Sequence, residues 1–143
     1  MSKPDCMVFD LDGTLFIGNY SVEPNIELIK ILNGEKDKGT KIFLVTARPD
    51  WLDLEIEITE KQLNLFNIYY DKIYYKPIQY QSFKRIKTYK KDVYQSLLND
   101  FNIKSIYEDD LDNIIEGTKL GIKCHYIDYQ TGKIIKIIEN KKI

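Results

Sequence analysis

Met7-Val8-Phe9-Asp10-Leu11-Asp12-Gly13-Thr14-Leu15 is the stretch on which the reading of this chain turns. Its three leading apolar residues predict a short buried strand, and that strand ends in two carboxylates two positions apart. Residues i and i+2 of a strand point to one side, and at the strand's end the second can curl over the first. Gly13 lets the backbone turn away at once. Both acids can then face one small pocket, where their joint ionisation is costly unless a cation lies between them or one holds a proton. Either solution is a setting for chemistry; the bland alternative is a strand running into an acidic turn.

Along the rest of the chain, strands and helices alternate. Cys6 to Phe9 forms the first strand, and Thr14 to Val22 a loop or small hairpin. Pro24 suits the first turn of a helix that places Ile26, Ile29 and Leu32 on one face and stops near Asn33-Gly34 or at Gly39. Lys41 to Val45 reads as the second strand. Asp50 is placed to cap a helix from Trp51 to Phe66, with Trp51, Leu54, Ile58 and Leu65 at helical spacing. Lys72 to Tyr75 is a third strand, followed by a polar and basic loop and a helix from Tyr89 to Asn99 with Val93, Leu97 and Leu98 inward. Lys104 to Tyr107, a helix from Asp112 to Leu120 stopped by Gly121, Lys123 to Ile127 and Lys133 to Ile138 complete the pattern. Strands separated by helices imply parallel crossovers, hence an α/β fold: a three-layer α/β/α, Rossmann-like parallel sheet.

Composition agrees with a folded domain. The chain has 143 residues, 43% of them hydrophobic and 13% aromatic, which is one domain's worth with a sizeable core. A net charge of −1 excludes the global basic field of dedicated nucleic-acid binders. Cys6 and Cys124 both sit in apolar, strand-like runs and read as buried, reduced thiols; two cysteines are too few for a disulfide framework or a thiolate metal site. His125 reads as a satisfied strand residue. With neither a leader-like start nor a run of membrane-spanning length, the expectation is a soluble, cytoplasmic protein.

Ligands bind beyond the carboxyl ends of the strands in such sheets. The first strand delivers Asp10 and Asp12 there, the second Thr46-Ala47-Arg48, and the fourth Glu108-Asp109-Asp110 with Asp112 and Asn113 just beyond; Lys90-Lys91 opens the helix before it. A carboxylate pair, a hydroxyl, a lysine and an acidic cluster, in that order, resemble the four motifs of the haloacid dehalogenase superfamily, most of whose members are magnesium-dependent phosphatases. The resemblance covers nearly the whole chain.

It implies that Asp10 is a nucleophile forming an aspartyl-phosphate, that Asp12 is the acid and base, and that Thr46 and Lys90 hold phosphoryl oxygens. Lys91 competes with Lys90; the relatives' spacing to the next apolar residue, Val93, favours Lys90. Magnesium, a hard cation taking oxygen ligands, would be held by Asp10, the backbone carbonyl of Asp12 and an acid of the fourth strand. Asn113 lies four positions beyond Asp109, which points to Glu108-Asp109 as the matching pair and Asp109 as ligand. Glu108 departs from the usual Asp or Gly and leaves Asp110 as a substitute, although Asp110 and Asp112 read better as helix-start acids. Gly13, Arg48 and Lys91 are the expected substrate contacts, with Glu108, Asp110 and Asn113 supporting the site.

Superfamily phosphatases for small metabolites usually insert a cap domain. Here 33 residues (positions 13 to 45) separate Asp12 from Thr46, and 43 (positions 47 to 89) separate Thr46 from Lys90, which is too little for one. A capless site suits a substrate too large to enclose, such as a polynucleotide end or a phosphoprotein. Residues 76 to 91 carry Lys76, Lys84, Arg85, Lys87, Lys90 and Lys91 without an acid, and Tyr80, Phe83 and Tyr89 among them. Basic groups track phosphates and aromatics stack on bases, so this loop is either a nucleic-acid contact or a solvated surface. Val45-Thr46-Ala47-Arg48, Thr59-Glu60-Lys61-Gln62-Leu63, Ile68 to Tyr74 and Ile106-Tyr107-Glu108-Asp109 look like the 3′-phosphatase domain of bacteriophage polynucleotide kinases; Gln62 stands where those relatives often have Trp. The alternatives are a small-metabolite phosphatase closed by a partner subunit and a catalytically weak binding module.

Overall fold

The computed structural model describes residues 2–18, 23–81 and 88–139. Asp5–Phe9 (β1) is the spine. Its alternation sends Met7 and Phe9 to one face and Cys6 and Val8 to the other, and every one of the four is buried. A strand apolar on both faces has to sit inside a parallel sheet. Phe16–Ile17 (β2) and Glu23–Pro24 (β3) form a separate antiparallel pair beyond it.

The remaining elements follow in alternation. They are Ile26–Asp37 (α1), Lys41–Pro49 (β4), Asp53–Leu65 (α2), Lys72–Lys76 (β5), a 3₁₀ turn at Ile78–Tyr80, Tyr89–Asp100 (α3), Asn102–Glu108 (β6), Leu111–Lys119 (α4), Cys124–Ile127 (β7) and Ile134–Ile138 (β8). The main sheet has the order β5-β4-β1-β6-β7-β8. All its pairings are parallel except the last, β7 with β8. β8 departs from the all-parallel expectation because the turn at Gln130-Thr131-Gly132 is too short for a crossover.

Leu28, Ile29 and Leu32 of α1 and Leu63 of α2 pack with Met7, Phe9, Ile42 and Leu44. On the opposite face, Tyr94 and Leu97 of α3 and Ile114 of α4 pack with Cys6, Val8, Phe43 and Val45. This is a three-layer, Rossmann-like α/β/α fold. Between β1 and β4, and between β4 and β6, the described residues hold these elements alone, with no domain covering the sheet's edge.

Asn25 ties this edge together. It caps α1 by accepting from the Leu28 N–H (3.3 Å) and donates to the carbonyls of Thr14 (2.9 Å) and Gly132 (2.8 Å). Pro24 therefore lies outside α1, and Ile26 points to solvent.

The largest departure from the sequence expectation is α2. Leu54, Ile58 and Leu65 are exposed, whereas Thr59 and Leu63 are buried and Ile56 and Phe66 half-buried. Two stripes of helical spacing coexist in this segment, and the sheet selects the one that carries Thr59. Asp50 does not cap the helix; Leu52 occupies that position without a side-chain bond. In α3 the inner face is Tyr89, Lys90, Tyr94 and Leu97, with Val93 and Leu98 half-buried. His125 also differs from expectation. It is buried and stacks on Tyr107 (4.2 Å between ring centres), which stacks on Phe9 (4.7 Å), yet neither ring nitrogen has a hydrogen-bond partner. Cys6 and Cys124 are buried and unpaired, as expected.

Candidate active site

After β1 the chain next builds β4 on one side, and after β5 it returns to build β6 on the other. The carboxyl ends of β1 and β6 therefore flank the point where strand order reverses, where open α/β sheets bind ligands. Asp10 leaves β1 there, with its N–H donated to the Tyr107 carbonyl (3.0 Å), and Glu108 ends β6 beside it.

Lys90 joins them. Its Nζ, buried at the start of α3, donates to Asp10 Oδ1 (2.8 Å) and to Glu108 Oε1 (2.6 Å). Thr14 Oγ1 donates to Asp10 Oδ2 (3.0 Å). Glu108 is saturated: Oε1 also takes Asn113 Nδ2 (3.1 Å), and Oε2 takes the N–H groups of Asp109 (2.9 Å) and Asp110 (3.3 Å). The residue that departs from the superfamily pattern thus anchors the lysine and shapes the loop after β6. Lys91, one position on, is not among the groups bonded to Asp10 or Glu108, so the structure brings Lys90 and not Lys91 to the acids.

Asp10, Glu108 and Asp109 offer carboxylate oxygens within 4.8 Å of one another. Asp109 presses against Gly13, where a Cβ would collide with its carboxylate, and Gly13 has φ +82°. Asp110 instead caps α4, accepting from the Asp112 N–H (2.9 Å), and Asp112 lies in that helix's first turn. Of the two candidate acids, Asp109 is the one the structure brings to Asp10 and Glu108.

Charge in this cluster does not balance. Burial disfavours the Lys90 ammonium, but Asp10 and Glu108 outweigh it and hold the lysine protonated. Burial likewise opposes the Asp10 carboxylate, and Lys90 overrides it. For Glu108, burial and then Asp10 raise the pKa; for Asp109, burial and its hydrogen bond to Asp10 push it up to about 7. Counted as ions, three carboxylates face one ammonium; protons held by Glu108 and Asp109 offset that excess, and a divalent cation held by oxygen ligands could replace them. Together Asp10, Glu108 and Asp109 could hold a metal ion, with Glu108 the most fully hydrogen-bonded of the three.

Asp12 and Arg48 form the outer half of the site. Arg48 Nε and Nη2 donate to Asp12 Oδ2 (2.9 Å) and Oδ1 (2.6 Å), a two-pronged pair. Nη1 donates to Thr59 Oγ1 (2.8 Å) and Gln62 Oε1 (2.9 Å) on α2. This explains the face that α2 turns inward. Arg48, an expected phosphate contact, has its guanidinium on Asp12, Thr59 and Gln62 in this structure. The roles of Thr59 and Gln62 were missed, because a buried threonine among apolar residues carries no distinctive signal. β4 continues through Thr46 to Pro49, and the buried Thr46 Oγ1 accepts from the Arg48 N–H (3.1 Å).

Lys84, Arg85 and Lys87 lie outside the described residues. Among the described ones, no helix is long and apolar enough to cross a membrane.

No family profile and no curated protein matches this chain. Solved structures do. A chain in the structure of the Pnkp1/Rnl/Hen1 RNA repair complex superposes with a TM-score of 0.75 at 20% identity, over 89% of this chain and 43% of its own length. A second structure of the Pnkp1/Rnl/Hen1 complex gives 0.76 at 20% identity, over 90% of this chain and 47% of that one. At this identity the likeness establishes the fold, and the chain spans less than half the length of the chains it matches.

Proposed function

We propose that this chain is a phosphatase domain of the haloacid dehalogenase type, hydrolysing phosphomonoesters with magnesium through an aspartyl-phosphate on Asp10, and that its substrate is a nucleic acid 3′-phosphate. The observation that carries the chemistry is the buried Asp10–Lys90–Glu108 arrangement with Asp109 at the switch point of the sheet. Support for the substrate comes from the open edge, the resemblance of the motifs to polynucleotide 3′-phosphatases, and the fold shared with chains of an RNA repair complex. The activity resides in one domain spanning residues 1–143, with the reduced thiols of a cytoplasmic protein.

Phosphoryl transfer is mainly positioning and stabilisation of charge. Magnesium, when bound by Asp10, Asp109 and the Asp12 carbonyl, supplies positive charge to the phosphoryl oxygens. Lys90 holds Asp10 in place and ionised. Asp10 attacks phosphorus while the bond to the leaving oxygen breaks, and a proton from Asp12 neutralises that oxygen. Asp12 then takes a proton from water, whose oxygen attacks phosphorus and frees Asp10. Arg48 occupies both carboxylate oxygens of Asp12, so one of those two bonds opens when the substrate enters. Thr46 spends its oxygen on the Arg48 N–H, which leaves its hydroxyl hydrogen for a phosphoryl oxygen.

The test is turnover across aryl phosphate, nucleotides, sugar phosphates and oligonucleotides phosphorylated at the 3′ or the 5′ end, with magnesium and with excess chelator. Magnesium-dependent turnover that favours the 3′-phosphorylated oligonucleotide is expected. Undiminished turnover in chelator would refute the chemistry, and preference for a sugar phosphate would replace the substrate by a small metabolite.

A further inference from the structure

Trp51 is the chain's one tryptophan, and it stands at the edge of the sheet that carries the site. Pro49 pairs with Lys76 across β4 and β5, and the Asp50 N–H donates to the Lys76 carbonyl (3.0 Å). Those bonds fix the half-buried indole beside Lys76, whose Nζ lies 6.0 Å from the indole ring centre. Lys76 also lines a cavity of about 200 Å³ that has Lys90 and Tyr89 in its wall and Asp110 and Asp112 on the α4 side. Neighbouring side chains therefore run from Asp10 to Lys90, across this cavity to Lys76, and from Lys76 to the indole, and they outline a path along the surface.

We propose that this path is a nucleotide subsite: the base adjoining the scissile phosphate stacks on Trp51, and the next backbone phosphate pairs with Lys76. The proposal rests on the phosphatase reading above and specifies how a polynucleotide end is gripped. Charge sets the direction. Asp110 and Asp112 repel a phosphate, so the backbone passes along the Lys76 side, and that side is the one with the flat aromatic surface. An aromatic face beside an ammonium suits a base joined to a phosphate; an acidic or phosphorylated peptide would use the lysine and leave the indole without a stacking partner.

Because Trp51 is the only tryptophan, its emission reports the subsite directly. Asp10→Asn protein, which binds without turnover, is titrated with a 3′-phosphorylated oligonucleotide, and binding is followed independently by the anisotropy of a labelled strand. Trp51 emission should be quenched along the same curve. Trp51→Ala should weaken binding by about fivefold or more, and Trp51→Phe should recover most of the loss. Lys76→Ala should lower the salt slope of binding by about one. Binding by anisotropy with unchanged emission would overturn the subsite and leave the polynucleotide reading standing. Aryl phosphate turnover without any oligonucleotide binding would overturn both the subsite and the polynucleotide substrate while leaving the chemistry intact. Stronger quenching by a phosphopeptide would also refute the proposal.

Discussion

Asp10 and Asp12 stand two residues apart and are answered in opposite ways. The Asp10 side chain is 8% exposed and meets Lys90 inside the protein, whereas Asp12 keeps 39% of its side chain in solvent and meets Arg48 from β4. The inner cluster sets three carboxylates against one ammonium; the outer pair is balanced, one charge against one, with both prongs of a guanidinium engaged. The inner half therefore needs something more to be stable as a set of ions, and the outer half does not. That asymmetry separates a buried cluster that could take up a cation from a half-exposed ion pair that is already neutral.

The largest effect should come from removing the ammonium of Lys90. Lys90→Met leaves a buried acidic cluster with no positive partner and should lower unfolding stability by about 3–5 kcal/mol, measured by urea denaturation without divalent ions. A loss below about 1 kcal/mol would mean that the acids are already neutral there.

His125 offers a buried ring with no hydrogen-bond partner on either nitrogen. Burial and then Lys123 lower its pKa to about 4, while Glu139 opposes them, and Tyr107 covers one face of the ring. The unfolded chain, with an ordinary histidine near 6.5, binds the proton more readily. Its contribution to stability is present above pH about 6.5 and is lost as pH falls toward about 4, by up to about 3 kcal/mol. His125→Phe should flatten that part of the pH–stability curve; an unchanged slope would assign it to other groups.

The smallest effect belongs to the outer pair. A double-mutant cycle of Asp12→Asn with Arg48→Met should give a coupling of about 1 kcal/mol or less in stability, as expected of a half-exposed pair. In a single turnover, followed as transfer of the phosphoryl group to Asp10, the same changes should slow alkyl phosphates more than aryl ones, since only poor leaving groups need the Asp12 proton. Equal losses on both substrates would remove Asp12 from leaving-group protonation.

How much of this was legible in the chain depended on the kind of signal. The strands of the sheet announced themselves as short apolar runs, and the acids that follow β1 and β6 fell at the correct edge because parallel crossovers leave no other arrangement. Lys90 could be preferred over Lys91 by spacing, but its bond to Glu108 could not be foreseen; a glutamate at a strand's end gives no sign that four donors will surround it. The inward face of α2 was misread because Leu54, Ile58 and Leu65 make a convincing stripe of their own. The sheet chose the other stripe, where Leu63 fills the core and Thr59 and Gln62 reach Arg48. His125 failed in the same way, since the absence of polar partners is a property of the packed protein. Local pattern reports which residues can be buried, and long-range contacts decide which are.

The proposed chemistry puts the phosphoryl group on Asp10. Asp12→Asn protein should accept it readily from an aryl phosphate, whose leaving group needs no proton, and should release it slowly because no base activates water. Acid quenching early in the reaction with magnesium, followed by peptide mass measurement, should then find one phosphoryl group on Asp10 and none when Asp10→Asn is added. Steady turnover with no phosphoryl group on Asp10 at any time would rule out the covalent route.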